Sequence, residues 1–84
     1  MYRFQVTLKQ DNSEFIGKDY ESKELAFSTA KAFSYPIARK EELERGMLDD
    51  EEEFKANFED QWERFWNCET EQFFFEVIER TSLL

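Results

Sequence analysis

A chain of 84 residues is the size of one small domain over residues 1–84, near the lower limit for a core without a disulfide or metal. Ten Phe, three Tyr and two Trp against only two Gly and one Pro supply enough apolar surface to exclude disorder, although 37% of residues are charged. A net charge of −9 argues against a nucleic-acid backbone or an anionic membrane as partner, and the lone Cys68 excludes an intramolecular disulfide.

Residues 2–9 alternate: Tyr2, Phe4, Val6 and Leu8 fall on one face and Arg3, Gln5, Thr7 and Lys9 on the other, the period of a half-buried strand. Residues 10–13 carry turn chemistry in Asp11 and Asn12, which tolerate left-handed backbone. A second strand is expected over 14–21, with Ile16 and Tyr20 inward and Gly17 marking a bulge. Together these read as a β-hairpin.

Ser22 has the chemistry of an N-cap for a helix starting at Lys23, with Glu24 in its first turn. Leu25, Ala26, Ala30, Phe33 and Ile37 make the expected inward stripe. Pro36 is expected to end this helix near Tyr35 and to open a second, mostly exposed one that runs to Gly46 as its C-terminal cap.

Residues 49–66, DDEEEFKANFEDQWERFW, hold the strongest helix signal. Asp49 with Glu52, or Asp50 with Glu53, fits a capping box. Phe54, Phe58, Trp62, Phe65 and Trp66 occupy an arc of about 120°, and Glu52, Glu53, Glu59, Asp60 and Glu63 fill a second arc opposite. Glu51–Lys55 and Asp60–Arg64 are i,i+4 pairs in the favourable order. After a connection at 67–70, residues 72–80 form a strand with Phe73, Phe75 and Val77 on one face and Phe74, Glu76, Ile78 and Arg80 on the other. The order β-β-α-(α)-α-β predicts an α+β fold, a three-stranded antiparallel sheet with helices on one face and the last strand beside the first.

The charge is unevenly placed. Residues 1–45 hold eight Lys/Arg and eight Asp/Glu; residues 46–84 hold three basic residues against twelve acidic ones. No histidine is present, which removes the commonest general base, zinc ligand and partner for a Ser or Cys nucleophile. With glycine only at 17 and 46, no phosphate-binding loop can form. Cys68 beside Glu69 is expected to have a raised thiol pKa and to be a small buried residue at a helix end. Residues 49–53 lack the glycine turn that converges carboxylates on a cation. No catalytic residue, metal or cofactor is therefore expected. Neither a secretory signal nor an apolar run longer than Phe73–Phe74–Phe75 is visible, so the expected compartment is a reducing cytoplasm.

In size, acidity and lack of catalytic groups the chain resembles small phage-encoded DNA-mimic inhibitors, including anti-restriction and anti-CRISPR proteins; no specific motif carries the likeness. The resemblance implies a non-enzymatic protein that occupies the basic groove of a nucleic-acid-handling enzyme. The residues expected to meet a basic protein partner are Glu52, Glu53, Glu59, Asp60 and Glu63, with Trp66, Phe27 and Phe74 as apolar contacts. The alternative is a structural homodimer or larger homo-oligomer formed through those aromatics, the acid serving only solubility.

Overall fold

The structure is a computed structural model and describes residues 1–80. Strand β1, Tyr2–Leu8, and strand β2, Ser13–Tyr20, form the expected antiparallel hairpin. Asn12 takes the left-handed turn position at φ 59°, and Asp11 Oδ1 accepts from the Ser13 N–H at 3.0 Å. That bond holds the Asp11 carboxyl below its usual pKa.

The bulge is not at Gly17, which pairs in register with Gln5. It is at Phe15: Val6 faces Ile16 while Thr7 faces Glu14, leaving one extra residue on β2. Gly17 answers a different need. The Arg3 guanidinium crosses it to reach Glu14 and Asp19, and a Cβ there would collide with that side chain.

Helix α1, Lys23–Glu44, is one element of 22 residues and runs through Pro36, contrary to the break expected there. Ser22 Oγ accepts from the Leu25 N–H, as a cap should. At the other end the Gly46 N–H bonds Leu43 O and the Met47 N–H bonds Glu42 O, a Schellman closure with Gly46 at φ 69°. A proline inside a helix removes one hydrogen bond and crowds the carbonyl four residues earlier, at about 3 kcal/mol. Here Pro36 and Ala32, which bears that carbonyl, are both on the solvent side. The turns before and after are held independently. Ser34 donates to Ala30 O at 2.7 Å, Tyr35 packs tilted against Phe54 and edge-on against Phe58, and Arg39 pairs with Glu51. Tertiary contacts thus outweigh the local signal to stop.

The buried stripe of α1 is also shifted from the expected one. Ala26, Ala30, Ser34 and Ala38 face the sheet, whereas Leu25 is 53% exposed. Phe33 flanks the stripe and packs edge-on against Phe4 and Phe75.

Helix α2, Glu51–Phe65, has Asp50 as its N-cap, accepting from the Glu52 and Glu53 N–H groups. Phe58 and Trp62 are buried and Phe54 half-buried, as expected. Phe65, expected on the same arc, is 64% exposed at the helix end. Trp66 closes the helix in the left-handed region, φ 59°.

Strand β3, Asn67–Glu69, lies in what reads as a connection. It pairs antiparallel with β4, Phe73–Glu79, making the sheet four-stranded in the order β2-β1-β4-β3. β4 lies beside β1 as expected, with Val6 opposite Phe75. Phe4, Val6, Phe75, Val77 and Cys68 point to the helix layer and form the core with Trp62. Among the described residues no helix covers the opposite face of the sheet. No helix among the described residues is long and apolar enough to cross a membrane.

Candidate functional site

The acidic segment divides by position. Asp50 is engaged at the helix cap, and Glu51 pairs with Arg39 of α1 rather than with Lys55. From Phe58 and Trp62 inward, a 100° step per residue puts Glu52, Glu59 and Glu63 on the flank of α2 nearer α1 and Glu53 and Asp60 outermost. On that flank Lys31 of α1 meets Glu59 at 2.8 Å, and Asp60 pairs with Arg64 at 3.0 Å. Glu52, Glu53 and Glu63 are exposed and have no cation within salt-bridge distance among the described residues. The five predicted carboxylates therefore share one side of α2, with Glu59 and Asp60 each paired to a cation.

The predicted apolar contacts separate into two places. Phe27 and Trp66 come together at the end of the helix layer, ring centroids 5.2 Å apart and planes at 86°. Tyr2 lies behind Trp66 at 6.3 Å, and Trp62 lies 6.0 Å from Phe27. Phe74 is on the uncovered sheet face, across from Thr7 and Glu69, and shares no surface with them.

Lys23 was not among the expected site residues, yet its ammonium sits 4.6 Å from the Trp66 ring centroid and 5.8 Å from that of Phe27. The i,i+4 spacing of Lys23 and Phe27 is the sequence signal that points to half of this contact. A shallow cleft of about 350 Å³ opens here, lined by Lys23, Glu24, Phe27, Lys31, Glu63 and Trp66. Glu63 thus belongs both to the acidic face and to the aromatic corner.

A larger cavity of about 540 Å³ lies at the other end, between the last turns of α1, α2 and the β3–β4 turn. Cys68 is buried beside it, on β3 rather than at a helix end. Burial first, and the Glu41 carboxylate second, push its thiol up to about 11; Glu69 is not the cause. The thiol is therefore protonated at neutral pH and a poor nucleophile. Glu41 Oε1 accepts from the Glu71 N–H at 2.6 Å, while its Oε2 is shielded without a partner. Lys9 and Arg45, the cations of this cavity, are paired with Glu69 and Glu42. Among the described residues no three His, Cys, Asp or Glu side chains converge as metal ligands.

Compared with protein-family models, characterised proteins and solved structures, the chain matches none.

Proposed function

We propose that the protein acts without covalent chemistry, by docking the outer side of α2 on a basic surface of a partner protein. One observation carries this reading. Glu52, Glu53 and Glu63 stand exposed and unpaired along one side of one helix, although Lys31 and Arg39 are near enough to neutralise other acids of the same helix. Such a surface steers a cationic partner and sets its orientation, with affinity supplied by adjacent aromatics.

Charge spacing refines the DNA-mimic form of the reading. From Glu52 to Glu63 the helix rises about 16 Å, so five carboxylates stand on average about 4 Å apart along the axis. One DNA strand carries a charge about every 3.4 Å, and the duplex one about every 1.7 Å. With Glu59 and Asp60 paired to cations the face is sparser than even a single phosphate strand, which favours contact with part of one side of a nucleic-acid groove over imitation of the duplex.

The test compares two quadruple charge reversals to Lys in the rate of association with an immobilised peptide of alternating lysine and glycine. Reversal of Glu52, Glu53, Asp60 and Glu63 should slow association and flatten its salt dependence. Reversal of Glu21, Glu44, Glu71 and Glu79, elsewhere on the surface, should do markedly less. Equal loss in both variants would reduce the acid to bulk charge and remove the reading.

A second reading, self-association, is favoured by the uncovered sheet face, where Phe74 and Ile78 lie on the same side of β4 with Glu76 between them. A monomeric mass by light scattering across a concentration series, up to high concentration, would exclude it.

A further inference from the structure

The aromatic corner at Phe27 and Trp66 already holds a cation, and the way it does so says what else could enter. Lys23 extends from the first residue of α1, so its ammonium reaches the corner on a flexible four-carbon stem. It has no carboxylate within salt-bridge distance among the described residues, and its neighbours are ring faces. The corner itself is fixed. The Trp66 N–H donates to Trp62 O at 3.0 Å, and the Trp66 carbonyl accepts from the Val77 N–H at 2.9 Å, tying the residue to α2 and to β4 at once. Phe27 stands perpendicular to the indole and is half-buried against Trp62. Two rigid ring walls at 86° with a cation between them form a recognition site of the aromatic-cage type.

Charge around the cleft favours a second cation. Of its two lysines, Lys31 is committed to Glu59, while Glu24 and Glu63 have no cation within salt-bridge distance among the described residues. With Lys31 neutralised, Lys23 faces two uncompensated carboxylates. Glu63 also makes the corner continuous with the acidic side of α2. A basic surface drawn to that side therefore brings its own cationic side chains to this cleft.

We infer that the Phe27–Trp66 corner is an anchor site for a lysine or arginine side chain of the partner, and that Lys23 is a resident stand-in displaced when the partner docks. The inference rests on the acidic-face reading for the source of the cation but not for the site.

Two probes separate the two ideas. Tetramethylammonium, with the Trp66 indole N–H followed by NMR, tests the corner alone; the alternating lysine–glycine peptide tests corner and acidic face together. The expected results are a saturable shift of the Trp66 indole resonance by tetramethylammonium, at lower concentration in Lys23→Met than in the parent. Peptide affinity should fall about three- to five-fold in Trp66→Leu and in Phe27→Leu, the worth of an exposed cation–π contact. The second variant keeps the result interpretable if leucine is poorly tolerated at the left-handed position 66. Peptide binding that responds to reversal of the acidic face but not to Lys23→Met or either aromatic change would overturn the anchor and leave the docking reading standing. A tetramethylammonium shift at Trp66 without peptide binding would support the corner and overturn the acidic-face reading. No response to either probe would overturn both.

Discussion

Helices α1 and α2 lie on the same sheet but bury opposite kinds of surface. α2 inserts Phe58 and Trp62, with Trp62 wholly buried, and turns its acid outward. α1 presents Ala26, Ala30, Ser34 and Ala38, so its backbone lies close to the strands while Phe27, Phe33 and Tyr35 reach sideways. One helix is held by the volume it inserts, the other by how little it interposes. They are joined by charge, since Lys31 and Arg39 of α1 reach Glu59 and Glu51 of α2.

This contrast can be broken most sharply at Trp62. Replacing it with Ala should cost about 3–5 kcal/mol, seen as a lower urea midpoint. Trp62→Phe should cost much less, because the indole N–H it removes is shielded and without a partner. On α1 the opposite change is the damaging one: Ala30→Leu should overpack the helix–sheet contact by about 1–3 kcal/mol, whereas Ala32→Leu, on the solvent side, should stay within about 0.5 kcal/mol. Equal effects at the two positions would mean that α1 does not depend on close approach. Pro36→Ala should raise stability by about 2 kcal/mol, the helix interior gaining a bond and losing a clash against the looser unfolded chain.

The smallest effect lies across the sheet. Glu76 pairs with Gln5 and Asn67 on the uncovered face, and burial raises its pKa above the usual glutamate value of 4.5. The native state then holds this proton more tightly than the unfolded chain does. Stability should fall as pH rises from the ordinary glutamate range through the raised value, and remain lowered above it. Glu76→Gln should remove that fall and stabilise the protein modestly at neutral pH, as melting temperatures across the range would show.

How far the sequence could be read follows from the same contrast. The large residues of α2 recur at helical spacing, and Phe4, Val6, Phe75 and Val77 alternate, so both patterns rise above their neighbours. On α1 Ala26 and Ala30 were legible as inward, but Ser34 and Ala38 carry too little apolar weight to rise above their neighbours, and the larger Leu25 drew the stripe toward solvent. Pro36 misled for a related reason: its local cost is real, but it falls on the solvent side of a helix anchored before and after it. Asn67–Glu69 is too short to show alternation, and only its partner β4 makes it a strand. Of the candidate site, the acidic face was legible as an arc. Its partial neutralisation by Lys31, and the meeting of Phe27 with Trp66 under Lys23, depend on how the two helices lie together and leave no mark in local spacing.

The two central strands also set an order of events. β1 and β4 pair Tyr2 with Glu79, whereas the β1–β2 hairpin and the α1–α2 pair close over short loops. Local units can form early, but the middle of the sheet requires its most distant segments to meet, the slow step in topologies rich in non-local pairing. During synthesis, therefore, β1 keeps one edge unpaired until Phe73–Glu79 has left the ribosome, with Phe4 and Val6 waiting for the strand that completes their layer.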